Sequence, residues 1–107
     1  NMTQEEKLKI EASIVDVLRT VYDPEIPVNI YDLGLIYSID VNEEGGVELD
    51  MTFTDPACPA ADFILADVQS KVESLTGVTS TKVNLVFEPA WDQSMMSEEA
   101  RVELGFE

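Results

Sequence analysis

The chain has 107 residues, a formal net charge of −16 from 22 acidic and 6 basic side chains, one cysteine and no histidine. Such an acidic surface repels phosphate backbones and anionic lipids, so we expect neither nucleic acid nor a membrane as a partner. One cysteine excludes an intrachain disulfide, and without histidine the chain alone has too few ligands for a zinc or iron–sulfur site.

The length and the hydrophobic content of 45% fit one domain, which we place over residues 3–107. Residues 1–9 are polar and charged, unlike a secretory leader, and no apolar run is long enough to span a membrane. We therefore expect a cytoplasmic protein.

The first predicted helix covers residues 4–20. It begins with a capping box, in which Thr3 and Glu6 satisfy each other's backbone N–H groups. Its apolar residues recur at helical spacing and comprise Ile10, Ile14, Val17, Leu18 and Val21. Asp23 and Pro24 end this helix, because the residue before a proline avoids the α region.

Residues 23–34 form a predicted loop that contains two prolines, an asparagine and a glycine. Several apolar side chains within it predict that the loop packs against the core. Its carboxylates Asp23, Glu25 and Asp32 allow two interpretations: ordinary turn chemistry, which these residues often supply, or a rim of acceptors beside a binding surface.

Two strands follow, over residues 35–41 and 47–53, joined by a hairpin loop that contains Gly45 and Gly46. The second strand alternates apolar and polar side chains, which indicates one buried face. It leads directly into the segment that carries Cys58.

Cys58 lies between this strand and a second helix, predicted over residues 59–75. Proline is favoured at the first helical position, so Pro59 predicts that Cys58 is the N-cap. There the positive end of the helix dipole, and the turn Asp55-Pro56-Ala57, would favour a reactive thiol. The alternative is that Cys58 is a small, inert packing residue.

A third strand is predicted over residues 79–88, with Val83, Leu85 and Phe87 facing inward, and a short helix begins at Ser97. The order helix-strand-strand-helix-strand-helix predicts an α+β fold of two layers, a three-stranded sheet with helices on one face. We expect the third strand to lie beside the first.

The segment between the third strand and the last helix carries Trp91, Met95 and Met96. These large side chains either cover the open end of a small core or form a contact patch for a partner protein.

Three motifs together resemble the SufT and PaaD-like family of metal–sulfur cluster biosynthesis proteins. They occupy residues 23–37, 51–59 and 91–106, so the resemblance covers nearly the whole chain. It implies a non-enzymatic accessory factor that serves iron–sulfur assembly machinery and apo-target proteins. By motif match it makes Cys58 the functional thiol, in a segment that begins at Thr54 and ends at Pro59.

The resemblance is compatible with several modes of action. The protein either carries an iron–sulfur cluster or iron transiently, with Cys58 as the metal contact and no stably bound cofactor, or it is an adaptor that recruits targets. One thiol per chain means that a cluster would be shared with a partner, a small thiol or a second copy in a homodimer. A PaaD-like role in assembling a phenylacetyl-CoA oxygenase is a third interpretation, although this sequence lacks the cysteine-bearing tail of those proteins. An enzyme with Cys58 as nucleophile and an interaction module with an inert Cys58 complete the set of hypotheses.

Overall fold

The computed structural model describes residues 2–55 and 57–106. The elements in chain order are α1 (Gln4–Leu18), β1 (Ile36–Val41), β2 (Gly46–Met51), α2 (Ala61–Glu73), β3 (Ser80–Leu85), a turn of 3-10 helix (Gln93–Met95) and α3 (Glu98–Glu103). The predicted α+β fold with a three-stranded sheet is therefore confirmed. No helix in the described part of the chain has both the length and the apolarity needed to cross a membrane.

Helix α1 begins with the predicted capping box. The Thr3 hydroxyl accepts from the Glu6 N–H at 3.1 Å, and the Glu6 carboxylate accepts from the Thr3 N–H at 3.0 Å. Its buried face is Ile10, Ile14 and Leu18, and the helix ends at Leu18, two residues earlier than expected. The Thr20 hydroxyl donates to a carbonyl oxygen of this last turn at 2.6 Å.

The sheet has the strand order β1-β2-β3, with β1 and β2 antiparallel and β2 and β3 parallel. Our expectation that the third strand lies beside the first is wrong, because β3 pairs with β2, from Gly46 opposite Ser80 to Met51 opposite Leu85. After α2, the nearest free edge of the sheet is that of β2. The outer edge of β1 lies one strand further away, and neighbouring strands are about 4.8 Å apart. The hydrophobic pattern alone does not distinguish these two edges.

One face of the sheet is buried under the helices. Val47, Leu49 and Met51 of β2 point into the core, and the helices α1 and α2 contact each other and the sheet. On β3 the prediction was partly wrong, since Leu85 is 39% exposed and Phe87 is 43% exposed. These two residues lie at and beyond the end of an edge strand, where only β2 flanks them.

The end of the sheet where β2 and β3 finish and β1 begins positions the loops of interest. There Thr52 continues from β2, and its N–H donates to the Leu35 carbonyl at 2.9 Å. Gly34, with φ of +82°, allows close approach of the chain after β3, because a Cβ there would lie 2.2 Å from the Met95 carbonyl oxygen. The loop of residues 23–34 and the tail of residues 89–97 are therefore packed together at this end.

Candidate functional site

Cys58 lies, partly buried, in the loop between β2 and α2. Asp55 organises this loop: its carboxylate accepts from the Ala57 N–H at 2.9 Å, and its carbonyl accepts from the Cys58 N–H at 3.1 Å. Pro56, part of the turn we predicted here, lies outside the described residues. The thiol is thus held by a turn that forms locally, as the aspartate in the sequence suggested.

The prediction that Cys58 caps the second helix is wrong. Helix α2 begins at Ala61 with Ala60 as N-cap and no side-chain cap bond, and Pro59 is an exposed residue of the preceding turn. The Ala61 N–H donates to the Cys58 carbonyl oxygen at 3.2 Å, so this N–H is engaged by backbone and not by sulfur. Reactivity of the thiol stays a prediction, but the helix terminus no longer supports it.

Asp23 is the side chain that meets the thiol. It is only 7% exposed, and its Oδ2 lies 3.9 Å from Cys58 Sγ, so that the thiol donates a hydrogen bond to the carboxylate. Its other oxygen, Oδ1, accepts from the Glu25 N–H at 3.0 Å. A buried carboxylate is costly unless its oxygens are bonded, and this arrangement serves both. Two residues separated by 35 positions, both singled out from the sequence, are therefore brought together.

Glu25, whose N–H bonds the Asp23 carboxylate, and Thr54, which begins the segment of Cys58, both line a groove of about 360 Å³. The remaining lining is mostly apolar and comes from the loop and from the C-terminal segment; it includes Ile26, Pro27, Leu33, Trp91, Gln93, Met96, Leu104 and Phe106. Sequence analysis did not single out Leu104 or Phe106. The signal for Phe106 was a large aromatic side chain after Gly105, beyond the end of the last predicted helix.

Asp32 is not part of the thiol site. Its carboxylate accepts from the Asn29 side-chain amide at 2.9 Å and lies 3.9 Å from Arg19 Nε, while its N–H donates to the Asn29 side chain at 2.8 Å. Its carbonyl oxygen accepts from the Ser97 N–H at 2.8 Å. These bonds fit the interpretation of Asp32 as turn chemistry, which also anchors α3.

The proposed contact patch of Trp91, Met95 and Met96 is divided by the structure. Met96 is 4% exposed and packs in the core, which fits the interpretation that it covers the core, and it also lines the groove, so its role in a partner surface stays a prediction. The Trp91 indole donates to the Leu33 carbonyl at 2.8 Å and leaves part of its ring on the groove. Met95 is partly buried, and its sulfur lies 3.5 Å from the Tyr37 hydroxyl oxygen.

Tyr37 also joins this tail to the sheet, which sequence analysis did not anticipate. Its hydroxyl lies 2.8 Å from the Pro89 carbonyl oxygen, a distance typical of a donated hydrogen bond. Burial, and secondarily the negative charge of Asp92, raise the pKa of the Tyr37 phenol above its ordinary value of 10.0. The phenol is consequently kept neutral, the form that can donate.

The described residues contain no group of three or more histidine, cysteine, aspartate or glutamate side chains placed to hold a metal ion. Cys58 and Asp23 therefore offer two donor atoms, one sulfur and one oxygen. That set is too small to retain a cluster unaided, since clusters generally take four protein ligands.

The model for the family of iron–sulfur cluster assembly proteins matches residues 11–85, which include Asp23, Glu25 and Cys58. This chain belongs to that family. An "Fe-S protein maturation auxiliary factor" of Porphyromonas gingivalis is 62% identical over 101 residues, which make up 94% of this chain and 96% of the relative. The auxiliary factor SufT of Staphylococcus aureus is 38% identical over 85 residues, 79% of this chain and 97% of that protein. The family expected from the motifs is thereby confirmed.

A longer protein and a solved structure each contain a region similar to this chain. An "Iron-sulfur cluster carrier protein" of Synechocystis is 31% identical over 83 residues, which cover 78% of this chain but only 23% of the relative. The crystal structure of a domain of unknown function from Bacillus anthracis matches with a TM-score of 0.86 at 33% identity and covers 94% of this chain and 95% of that one.

Proposed function

We propose that the protein is an accessory factor in the maturation of iron–sulfur proteins and that it acts through the thiol of Cys58 beside the carboxylate of Asp23. The observation that carries the proposal is this pair, which joins the chain's one thiol to a buried carboxylate at 3.9 Å. The names of the relatives support it, since they describe maturation auxiliary factors and a cluster carrier, and none of those names describes an enzyme.

We infer a specific part for Asp23 in binding iron. A thiol must lose its proton to become a metal ligand. Asp23 Oδ2 already accepts the hydrogen bond of the Cys58 thiol, so it is placed to take that proton when the sulfur binds iron. The Glu25 N–H holds the carboxylate in position from the other side. The cluster or iron is cargo in this scheme, and the remaining ligands come from outside this chain.

Cargo held by one thiol is exchanged easily, which suits transfer to an acceptor better than storage. An acceptor protein with several cysteines outcompetes a site that supplies one sulfur. We therefore propose transient carriage, with a partner protein or a small thiol completing the ligand set. Pure recruitment of targets, without contact to the cargo, is the competing hypothesis that the following experiment separates from it.

The test is anaerobic reconstitution with iron, sulfide and glutathione, followed by visible absorbance and by iron content after desalting. We expect a labile chromophore below one cluster per chain in the native protein and none in Cys58→Ala. Asp23→Asn should form less of it and lose it faster. Asp62→Asn, an exposed carboxylate in the first turn of α2, is the matched control and should behave as the native protein.

Two outcomes would contradict the proposal. A stable chromophore that persists in Cys58→Ala would place the cargo elsewhere. The second outcome is that neither the native protein nor Cys58→Ala retains iron, while Cys58→Ala still matures a target as well as the native protein. The protein would then be an adaptor, and Cys58 would only fill space in the fold.

A further inference from the structure

The groove lined by Trp91 and Phe106 is mostly apolar, so it favours an occupant with apolar side chains. It is lined by the partly exposed rings of Trp91 and Phe106 and by the aliphatic side chains of Ile26 and Leu104. Phe106 is 49% exposed, so half of a large ring faces solvent at this point. An occupant with an apolar side chain would remove this surface from water, the main favourable term in most protein association.

The charge of the groove lining is negative. Glu25 is the only charged residue in its described lining. Four more carboxylates of the described residues directly adjoin lining residues in the chain, since Asp32 precedes Leu33, Asp55 follows Thr54, Asp92 lies between two lining residues and Glu103 precedes Leu104. An acidic rim attracts a basic partner and repels a second copy of this chain, which carries a net charge of −16.

We propose that this groove binds a segment of a partner protein in which apolar side chains are flanked by lysine or arginine. The inference rests on the proposed function, because Glu25 lines the groove and its N–H bonds the carboxylate of the Asp23–Cys58 pair. A partner protein whose segment binds in the groove is then held beside the residue that bonds Asp23. The groove thus supplies recognition, while the thiol supplies contact with the cargo.

Trp91 is the only tryptophan of the chain and lines the groove, so its fluorescence reports occupancy directly. The probe is a capped synthetic peptide of alternating leucine and lysine, without aromatic residues. We expect a saturable change in Trp91 emission, weakened by added salt because exposed charges are screened. The same peptide with glutamate in place of lysine, or with serine in place of leucine, should bind at least about tenfold more weakly. A tenfold ratio of dissociation constants corresponds to about 1.4 kcal/mol.

Variants locate the binding. Phe106→Ala should weaken binding of the leucine–lysine peptide about tenfold, because the half-exposed ring no longer supplies contact area. Its control is Val102→Ala, which should leave binding unchanged because Val102 is 60% exposed on α3 and lies outside the lining. Glu25→Gln should weaken binding and reduce its salt dependence. Glu43→Gln, in the hairpin loop at the opposite end of the sheet, is its control. Circular dichroism establishes that each variant is folded.

The proposal is overturned if the peptide causes no saturable change, if the glutamate peptide binds equally well, or if Phe106→Ala and Val102→Ala bind alike, which would indicate unspecific adhesion to an acidic surface. Phe106→Ala is also taken through the reconstitution experiment. Phe106→Ala should keep its Cys58-dependent chromophore, whereas such a chromophore in a native protein that fails to bind the peptide would overturn the groove alone. Loss of Cys58 dependence with intact peptide binding would overturn the proposed function alone.

Discussion

Replacing Gly34 by alanine tests how the functional end of the molecule is held together. Gly34 has φ of +82°, a conformation that alanine adopts only with strain of about 1–2 kcal/mol. The added Cβ would also lie 2.2 Å from the Met95 carbonyl oxygen and 2.7 Å from the Met95 carbonyl carbon. Both are backbone atoms, so no side-chain rotation relieves the clash. The tail must move away from the loop.

The chain itself offers the matched control. Gly105 has nearly the same φ, +83°, but among the described residues, its chain neighbours aside, no atom lies within 4 Å of the position of its Cβ. Gly105→Ala therefore measures the conformational strain without the clash. We expect Gly105→Ala to cost about 1 kcal/mol and Gly34→Ala about 3 kcal/mol or more, a large part of the 5–15 kcal/mol typical of a domain.

The assay is urea unfolding followed by circular dichroism for the whole fold and by Trp91 fluorescence for the tail. In Gly34→Ala the fluorescence should already differ from the native protein in the absence of urea, because Trp91 donates to the Leu33 carbonyl next to the substituted position. The leucine–lysine peptide should also bind more weakly. Equal unfolding free energies for the two alanine variants would refute the close approach of Gly34 and Met95.

The remaining predictions concern the same end of the molecule. Because the pKa of Tyr37 is raised in the fold, its neutral form contributes stability that is complete below about pH 10 and is lost as the pH rises through the folded pKa. Tyr37→Phe should remove this alkaline loss from unfolding free energies measured against pH, whereas Tyr22→Phe, at an exposed residue, should retain it; equal slopes in both variants would contradict the assignment. Trp91→Phe deletes the indole N–H but keeps an aromatic ring, and it should cost about 1 kcal/mol in urea unfolding through the unpaired Leu33 carbonyl. No measurable change would mean that water replaces this bond without loss.

Much of the fold could be predicted because its signals are local. The capping box at Thr3 and the alternation along β2 each fix a structure from adjacent residues, and both are present in the protein. The order of the strands is not determined by any local signal in the sequence. It depends on which free edge the chain reaches after α2, and the apolar pattern of β3 is the same in either place.

The site was predicted in its parts and missed in its contacts. Cys58 and Asp23 stood out separately, but their meeting depends on packing between two loops, which no spacing in the sequence records. The cap assignment failed because a further turn of chain, closed by the Ala61 N–H, separates the cysteine from the helix. The different burial of Met95 and Met96 was missed for a similar reason, since composition does not tell which of two neighbouring methionines packs in the core.

The walls of the groove come from two parts of the chain that differ in kind. The matched family segment, residues 11–85, supplies Glu25 and Thr54 together with the thiol and its carboxylate, whereas Trp91, Leu104 and Phe106 come from the residues that follow it. On the proposed function, the chemistry of the cargo and the choice of partner are therefore separately adjustable. Changes after residue 85 can alter which proteins are served while the sulfur and oxygen donors keep their geometry.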